Sequence, residues 1–136
     1  MRHIIHYENQ KALEEIYFHD CVYEGFAYDY PSREIRFDLV HRWMGKRYSL
    51  CFRNVVALEN QGCGFWGGGN AVYHIWIDDD PAYFRRLENI QAENGENYRY
   101  SRLDQGIRYI SVIMQLNSGD ELKLTCEAVE VAEQNL

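Results

Sequence analysis

The chain has little of what marks a specialised polypeptide. Proline occurs twice and cysteine four times in 136 residues, which excludes a proline-rich linker and a disulfide-stapled miniature domain. Cys21, Cys51, Cys63 and Cys126 are widely spaced and form no C-x-x-C pair. Cys21, Cys51 and Cys126 are therefore expected to be small core residues in a reducing compartment. No window approaches the roughly 20 apolar residues of a membrane-spanning helix. The opening Met1 to Tyr7 runs at once into Glu8, Asn9, Gln10 and Lys11, with no apolar stretch of signal-peptide length. Cytoplasmic localisation is the resulting expectation, with no membrane partner. Basic side chains are also in deficit: 14 Lys and Arg stand against 21 Asp and Glu, a net charge of −7. That balance argues against nucleic acid as a ligand, because such affinity comes from neutralising phosphates.

What is present is a foldable chain, 46% hydrophobic and 15% aromatic, with 11 tyrosines. Its length suits a single domain spanning residues 1–136. Ala12, Leu13, Ile16 and Tyr17 recur at helical spacing and predict a short N-terminal helix over 9–17, with Asn9 as its cap. Residues 21–28 place Val22, Phe26 and Tyr28 on one side of a strand. Residues 34–39 alternate without error, and Asp29-Tyr30-Pro31-Ser32 joins the two as a turn. After a turn around Trp43-Met44-Gly45-Lys46, residues 47–58 read as one strand with a bulge near Asn54. The run 71–77 is apolar on both faces and predicts a central or doubly covered strand.

Asp80 as cap and Pro81 at the first helical position open the strongest helix, about 80–92, with Phe84, Leu87 and Ile90 or Gln91 on its buried stripe. Residues 107–116 and 121–131 flank Asn117-Ser118-Gly119-Asp120, a hairpin turn composition. Leu122, Leu124, Cys126 and Ala128 are expected to point inward. The sum is an α+β domain, mainly antiparallel sheet of about six strands.

Chemistry-bearing constellations are sparse. Gly62-Cys63-Gly64-Phe65-Trp66-Gly67 has G-x-G-x-x-G spacing, but it leads through Gly68-Gly69-Asn70 into a strand rather than a helix, so the phosphate-binding geometry is missing. The segment reads better as an adaptable loop that either presents Phe65 and Trp66 to a partner or folds both rings back over the end of the sheet. Asp78-Asp79-Asp80 offers clustered oxygens, which helix capping explains more cheaply than a cation does. His19-Asp20-Cys21 sets imidazole, carboxylate and thiol side by side. On an extended chain Asp20 points away from the other two, and backbone bonding of His19 and Asp20 is the favoured reading. His74, within an apolar strand, reads as a core histidine. No catalytic residue, cofactor or metal site is assigned.

Charge is uneven along the chain: residues 1–60 carry 8 basic and 9 acidic side chains, and residues 61–136 carry 6 and 12. An acidic face built from the later half would favour a basic protein partner, although ordinary solubility, for which a net charge of this size is common in small domains, explains it slightly better. Phe18-His19-Asp20-Cys21-Val22, Gly25-Phe26, the strand 34–39 and the turn Leu116-Asn117-Ser118-Gly119 resemble a group of small bacterial proteins of unknown function. Some of these resemble immunity proteins of polymorphic-toxin systems. The resemblance implies an inhibitor that binds a toxin domain and brings no catalytic residues with it. The expectation is a non-enzymatic protein-binding module, with Phe65, Trp66, Asp78 and Asp79 toward the partner. The alternative is a small enzyme or ligand-binding domain whose pocket, between helix and sheet, uses His19, Cys63 and His74.

Overall fold

The computed structural model describes residues 1–62, 70–94 and 103–136. In chain order they form β1 (Arg2–Ile5), a 3₁₀ segment (Tyr7–Glu15), β2 (Val22–Asp29), β3 (Glu34–His41), β4 (Lys46–Arg53), β5 (Ala57–Gln61) and β6 (Val72–Ile77). Helix α1 (Pro81–Asn94), β7 (Ile110–Leu116), β8 (Glu121–Cys126) and β9 (Ala128–Asn135) follow. Two antiparallel sheets result, one in the order β1-β9-β4-β3-β2 and one in the order β5-β8-β7-β6. The α+β class stands, with nine described strands in two sheets rather than about six.

The higher count has a local cause. Each of two runs that read as one strand breaks and changes sheet. β4 ends at Arg53, Asn54 adopts φ +52, and β5 resumes at Ala57 in the other sheet. Likewise β8 ends at Cys126, and β9 begins at Ala128 across Glu127. The breaks lie side by side. The Glu127 amide donates to the Arg53 carbonyl at 3.1 Å and the Val56 amide to the Thr125 carbonyl at 2.9 Å. The Asn54 side-chain amide reaches Glu127 Oε1 at 3.1 Å. The expected bulge near Asn54 is thus a corner, where the β4/β9 ribbon becomes the β5/β8 ribbon. The same corner reverses the inward set, so Val129 and Val131 are buried in place of Ala128. β1, too short to show a period, adds the ninth strand by pairing with β9.

Period-2 alternation then builds the core. Ile35, Phe37 and Leu39 of β3 are buried, as are Tyr48, Leu50 and Phe52 of β4. They share one cluster with Val112, Met114, Leu122 and Leu124 of the facing sheet. Each such side chain removed from water contributes about 1.5–3 kcal/mol. Phe37 lies at the centre of an aromatic knot, with ring centroids 5.2 Å from Phe26, 5.6 Å from Phe52 and 5.7 Å from Tyr23.

Three further expectations are corrected. In β2 the pairing with β3 skips Glu24, so Tyr23, Phe26 and Tyr28 lie opposite Leu39, Phe37 and Ile35 on the core side. Val22 is therefore not on the Phe26/Tyr28 side, because a bulge flips the alternation. β6 is an edge strand of its sheet, not a central one, and its outward His74 is exposed. The N-terminal helix is a 3₁₀ segment from Tyr7, with His6 rather than Asn9 at its cap. Asn9 sits inside it at non-helical φ −119°, its side chain taken by the His6 amide and the Ile4 carbonyl. Such local bonding competes with regular helix.

Helix α1 begins as expected: Asp80 Oδ1 accepts the Ala82 amide at 3.0 Å ahead of the first turn. Its buried stripe is Tyr83 and Leu87, packed with Ala57 and Leu103, while Phe84 is only half-buried. The Asn117–Asp120 turn closes its hairpin as predicted, with Gly119 at φ +91.

Gly62 is held where a side chain has no room. Its φ is +120, and a Cβ would stand 2.3 Å from Asp120 Oδ1. Gly62→Ala should cost about 1–3 kcal/mol through strain and displacement of Asp120. Gly106→Ala, at φ +86 with nothing within 4 Å, should cost only the left-handed penalty of about 1–2 kcal/mol. Urea unfolding of the two variants checks the order.

Candidate functional site

The Phe-His-Asp segment is a tight turn locking the first helical segment onto β6. Phe18 is buried, with its ring centroid 5.1 Å from that of Tyr48. Asp20 takes φ +68, and its amide donates to the Val72 carbonyl at 3.0 Å. The Val72 amide returns a bond to the Cys21 carbonyl at 2.7 Å. Between these anchors His19 is turned outward. Its Nδ1 donates to the Tyr73 carbonyl at 2.8 Å. A carbonyl can only accept, so that contact fixes the proton on Nδ1. Its Nε2 lies 3.5 Å from Asp20 Oδ1.

Around His19 a row of rings continues across the end of the molecule. His19 meets Tyr73 at 6.0 Å and Tyr17 at 6.1 Å, and Tyr17 meets His41 at 5.9 Å. His41 accepts the Met44 amide on Nδ1 at 3.2 Å, tying the β3–β4 turn to the row. At that turn Trp43 is 97% exposed and Met44 46% exposed, while Tyr17 and Tyr73 remain half in water at 52% and 55%. β6 supplies Tyr73 at the bulge between Val72 and His74. Tyr73, His19 and Tyr17 thus form an exposed row of rings, which the buried His41 joins to the Trp43-Met44 turn.

The residues singled out in the sequence are not brought together. His74 stacks on Trp76 at 5.0 Å, away from the His19 row, on the outer face of its sheet. The expectation of a core histidine is overturned, because His74 points to the exposed outer face of the sheet while Val72, Ile75 and Ile77 fill the core. Cys21 is fully buried, its thiol pushed up to about 12 chiefly by burial, with the Asp20 charge adding to it. His19, Asp20 and Cys21 therefore do not form a nucleophilic set. Cys126 is buried as expected, whereas Cys51 is half-buried on the outward side of its sheet, with its thiol 3.7 Å from Glu34 Oε2. Cys63, Phe65 and Trp66 lie outside the described residues.

The three consecutive aspartates diverge. Asp78 pairs with Lys123 at 2.7 Å and accepts the Asp80 amide at 3.0 Å. Asp79 meets Lys11 at 3.1 Å, and Asp80 caps α1. Among the described residues no three His, Cys, Asp or Glu side chains gather as metal ligands. The two halves of the chain exchange ion pairs in both directions, Arg86 meeting Glu59 at 3.1 Å and Arg108 meeting Glu8 at 3.9 Å. Late acids meet early cations: Glu130 lies between Arg2, at 2.7 Å, and Arg53, and Glu133 meets Lys46 at 2.9 Å.

Sequence reasoning missed Tyr17, His41, Trp43, Met44 and Tyr73. One signal was available: Trp43-Met44 puts two large apolar side chains in a turn, where burial is hardest to arrange. The chain matches no protein-family model and no curated protein.

Two outcomes follow from the buried groups. In the native state an alkylating reagent should modify Cys51 while sparing Cys21 and Cys126 until denaturant is added, as peptide mass mapping would read out. For Asp78, burial disfavours the carboxylate, but the Lys123 ammonium and the Asp80 amide outweigh it and hold the carboxyl below the usual aspartate range. A depressed carboxyl stabilises the fold above its unfolded value, and that stabilisation is lost as pH falls through the folded value. Asp78→Asn should cost about 1 kcal/mol at neutral pH. The gap from the parent should close in acid below the ordinary aspartate range, as measured by urea unfolding at a series of pH values.

Proposed function

We propose that the chain is a non-enzymatic protein-binding module of the immunity-inhibitor type. It docks through the exposed Tyr73–His19–Tyr17 row and the Trp43-Met44 turn, which the buried His41 ties to Tyr17. The observation that carries this reading is the exposure of Trp43, 97%, at a turn joined to that row. A tryptophan left in water loses the stabilisation its ring would gain by burial, and such rings are favoured anchors at the centre of protein interfaces. The polar tips of the tyrosines and of His19 suit a surface that must be soluble alone and dry when covered. Support for the inhibitor type is the resemblance around Phe18-His19-Asp20. The Phe of that segment is buried and architectural here, and both its histidine and its aspartate reach the surface. The partner in this reading is a toxin domain that buries the rings, with no cofactor and no chemical step. Phe65, Trp66 and Asp79 are the remaining candidates for its periphery. Asp78 is already committed to Lys123.

The test uses the product of the adjacent upstream reading frame as partner. Co-purification of the two chains and protection from that product's toxicity are expected. Trp43→Ala and Tyr73→Ala should each weaken the complex by about 2 kcal/mol or more, roughly thirtyfold in Kd, with folding unchanged. No complex and no protection would sink the inhibitor reading. A complex indifferent to both substitutions would move the docking surface elsewhere.

A further inference from the structure

Independently of that surface, the exposed edges of the two sheets are not equally protected. β6 is closed at the start of its edge, where the Val72 carbonyl takes the Asp20 amide, the Val72 amide bonds to the Cys21 carbonyl and the Tyr73 carbonyl takes His19, and it lies against the 3₁₀ segment. β1 has only four residues, and β5 has five and carries Glu59, Asn60 and Gln61 along it. β2 differs. It runs for eight residues at the edge of the five-stranded sheet. Its first part is closed by the Tyr23 amide on the Asn70 carbonyl and by the bridge of Val22 to Ala71. Beyond the bulge at Glu24, the stretch Gly25-Phe26-Ala27-Tyr28 has no charged residue and no proline. Natural edges are normally blunted by just such residues, because an open row of amides and carbonyls templates another strand. Here Phe26 is 47% exposed and Tyr28 57% exposed, both on the core side of β2.

We infer that this edge pairs with the same edge of a second copy, β2 against β2 in antiparallel register about a two-fold axis at Ala27. The choice of a second copy rests on the pattern of the strand itself. With Ala27 opposite Ala27, Phe26 faces Tyr28 of the other copy, and Tyr28 faces its Phe26. Two aromatic cross-strand pairs therefore form on one side of the joined sheet. Gly25 falls opposite Asp29, and Glu24 opposite Tyr30, so no like charges meet. A register shifted by one residue, with Phe26 opposite Ala27, would instead set Glu24 against Asp29 in both halves and lose the aromatic pairs. The two-fold operation also matches the commonest symmetry of small assemblies, in which one patch serves both partners. The joined sheet has ten strands, and Trp43 lies in the turn from β3 to β4, outside the pairing strand itself. Each chain carries a net charge of −7. Long-range repulsion therefore opposes association, and added salt should strengthen it.

The experiment is sedimentation equilibrium of the full chain over a wide concentration range at low and at physiological salt, with cross-linking by an introduced cysteine. The expected mass rises with concentration from 16.2 kDa toward twice that value, more readily in salt. Tyr28→Lys should shift the dissociation constant at least tenfold toward monomer, whereas Trp43→Ala should leave it unchanged. Ala27→Cys should give a disulfide-linked dimer on mild oxidation, since directly opposed residues lie about 4.5–5.5 Å apart at Cα, within disulfide reach. Asp29→Cys, four positions from its own copy in this register, should not. A single mass of one chain at every concentration overturns the inference. So does equal cross-linking at the two positions, or a dimer that Tyr28→Lys leaves intact. Because Trp43→Ala is the control here and the probe in the toxin test, failure of one reading is separable from failure of the other.

Discussion

The double corner at Asn54 and Glu127 is the constraint on which the molecule depends. Two neighbouring strands leave one sheet and enter the other at the same level, held by the Glu127 amide on Arg53, the Val56 amide on Thr125 and the Asn54 side chain on Glu127. Backbone groups at a strand break would otherwise lose partners that buried amides and carbonyls require. Because both strands turn together, each supplies what the other gives up. The two inner faces are thereby brought into one core, with Phe37, Phe52 and Leu50 on one side and Met114, Leu122 and Leu124 on the other. A left-handed φ of +52 at Asn54 is tolerated there because asparagine visits that region more readily than most residues.

Much of this architecture was legible in the sequence, and the misses share a physical origin. Strict alternation in Glu34 to Leu39 gave β3, turn chemistry at Asn117 to Asp120 gave the β7–β8 hairpin, and Asp80-Pro81 gave the start of α1. Each of these signals is local. The sheet-switching corners are not, since a run such as Arg47 to Leu58 keeps its apolar character while the chain changes partners. The bulge at Glu24 likewise shifts which side of β2 is buried through pairing with β3. No residue pattern within β2 announces that shift. His74 was misjudged for the same reason: apolar neighbours predict burial only when both faces of the strand are covered, and the face of β6 that carries His74 is exposed.

The surface was less legible than the core. His19 was recognisable as an unusual residue, and its backbone-bonded role was anticipated, but the row it belongs to is assembled from three separate parts of the chain: the segment of Tyr17, the β3–β4 turn with His41, and Tyr73 of β6. Only folding assembles them. Charge shows the converse, since some late acids meet cations from early in the sequence, as at Glu130 and Glu133, and late arginines meet early acids, as at Glu59 and Glu8. Linear bookkeeping of sign says little about potential in space when strands from both halves alternate within a sheet.

β9 lies between β1 and β4 in its sheet. Hence Arg2 to Ile5 pair with Val129 to Ala132, more than 120 residues away. Synthesis runs amino end first, so β1 must wait, unzipped, until β9 has emerged. Such nonlocal closure makes for slow folding. It leaves the nascent polypeptide with an unfinished five-stranded sheet, its gap in the interior rather than at the rim, through the making of every strand from β2 to β8.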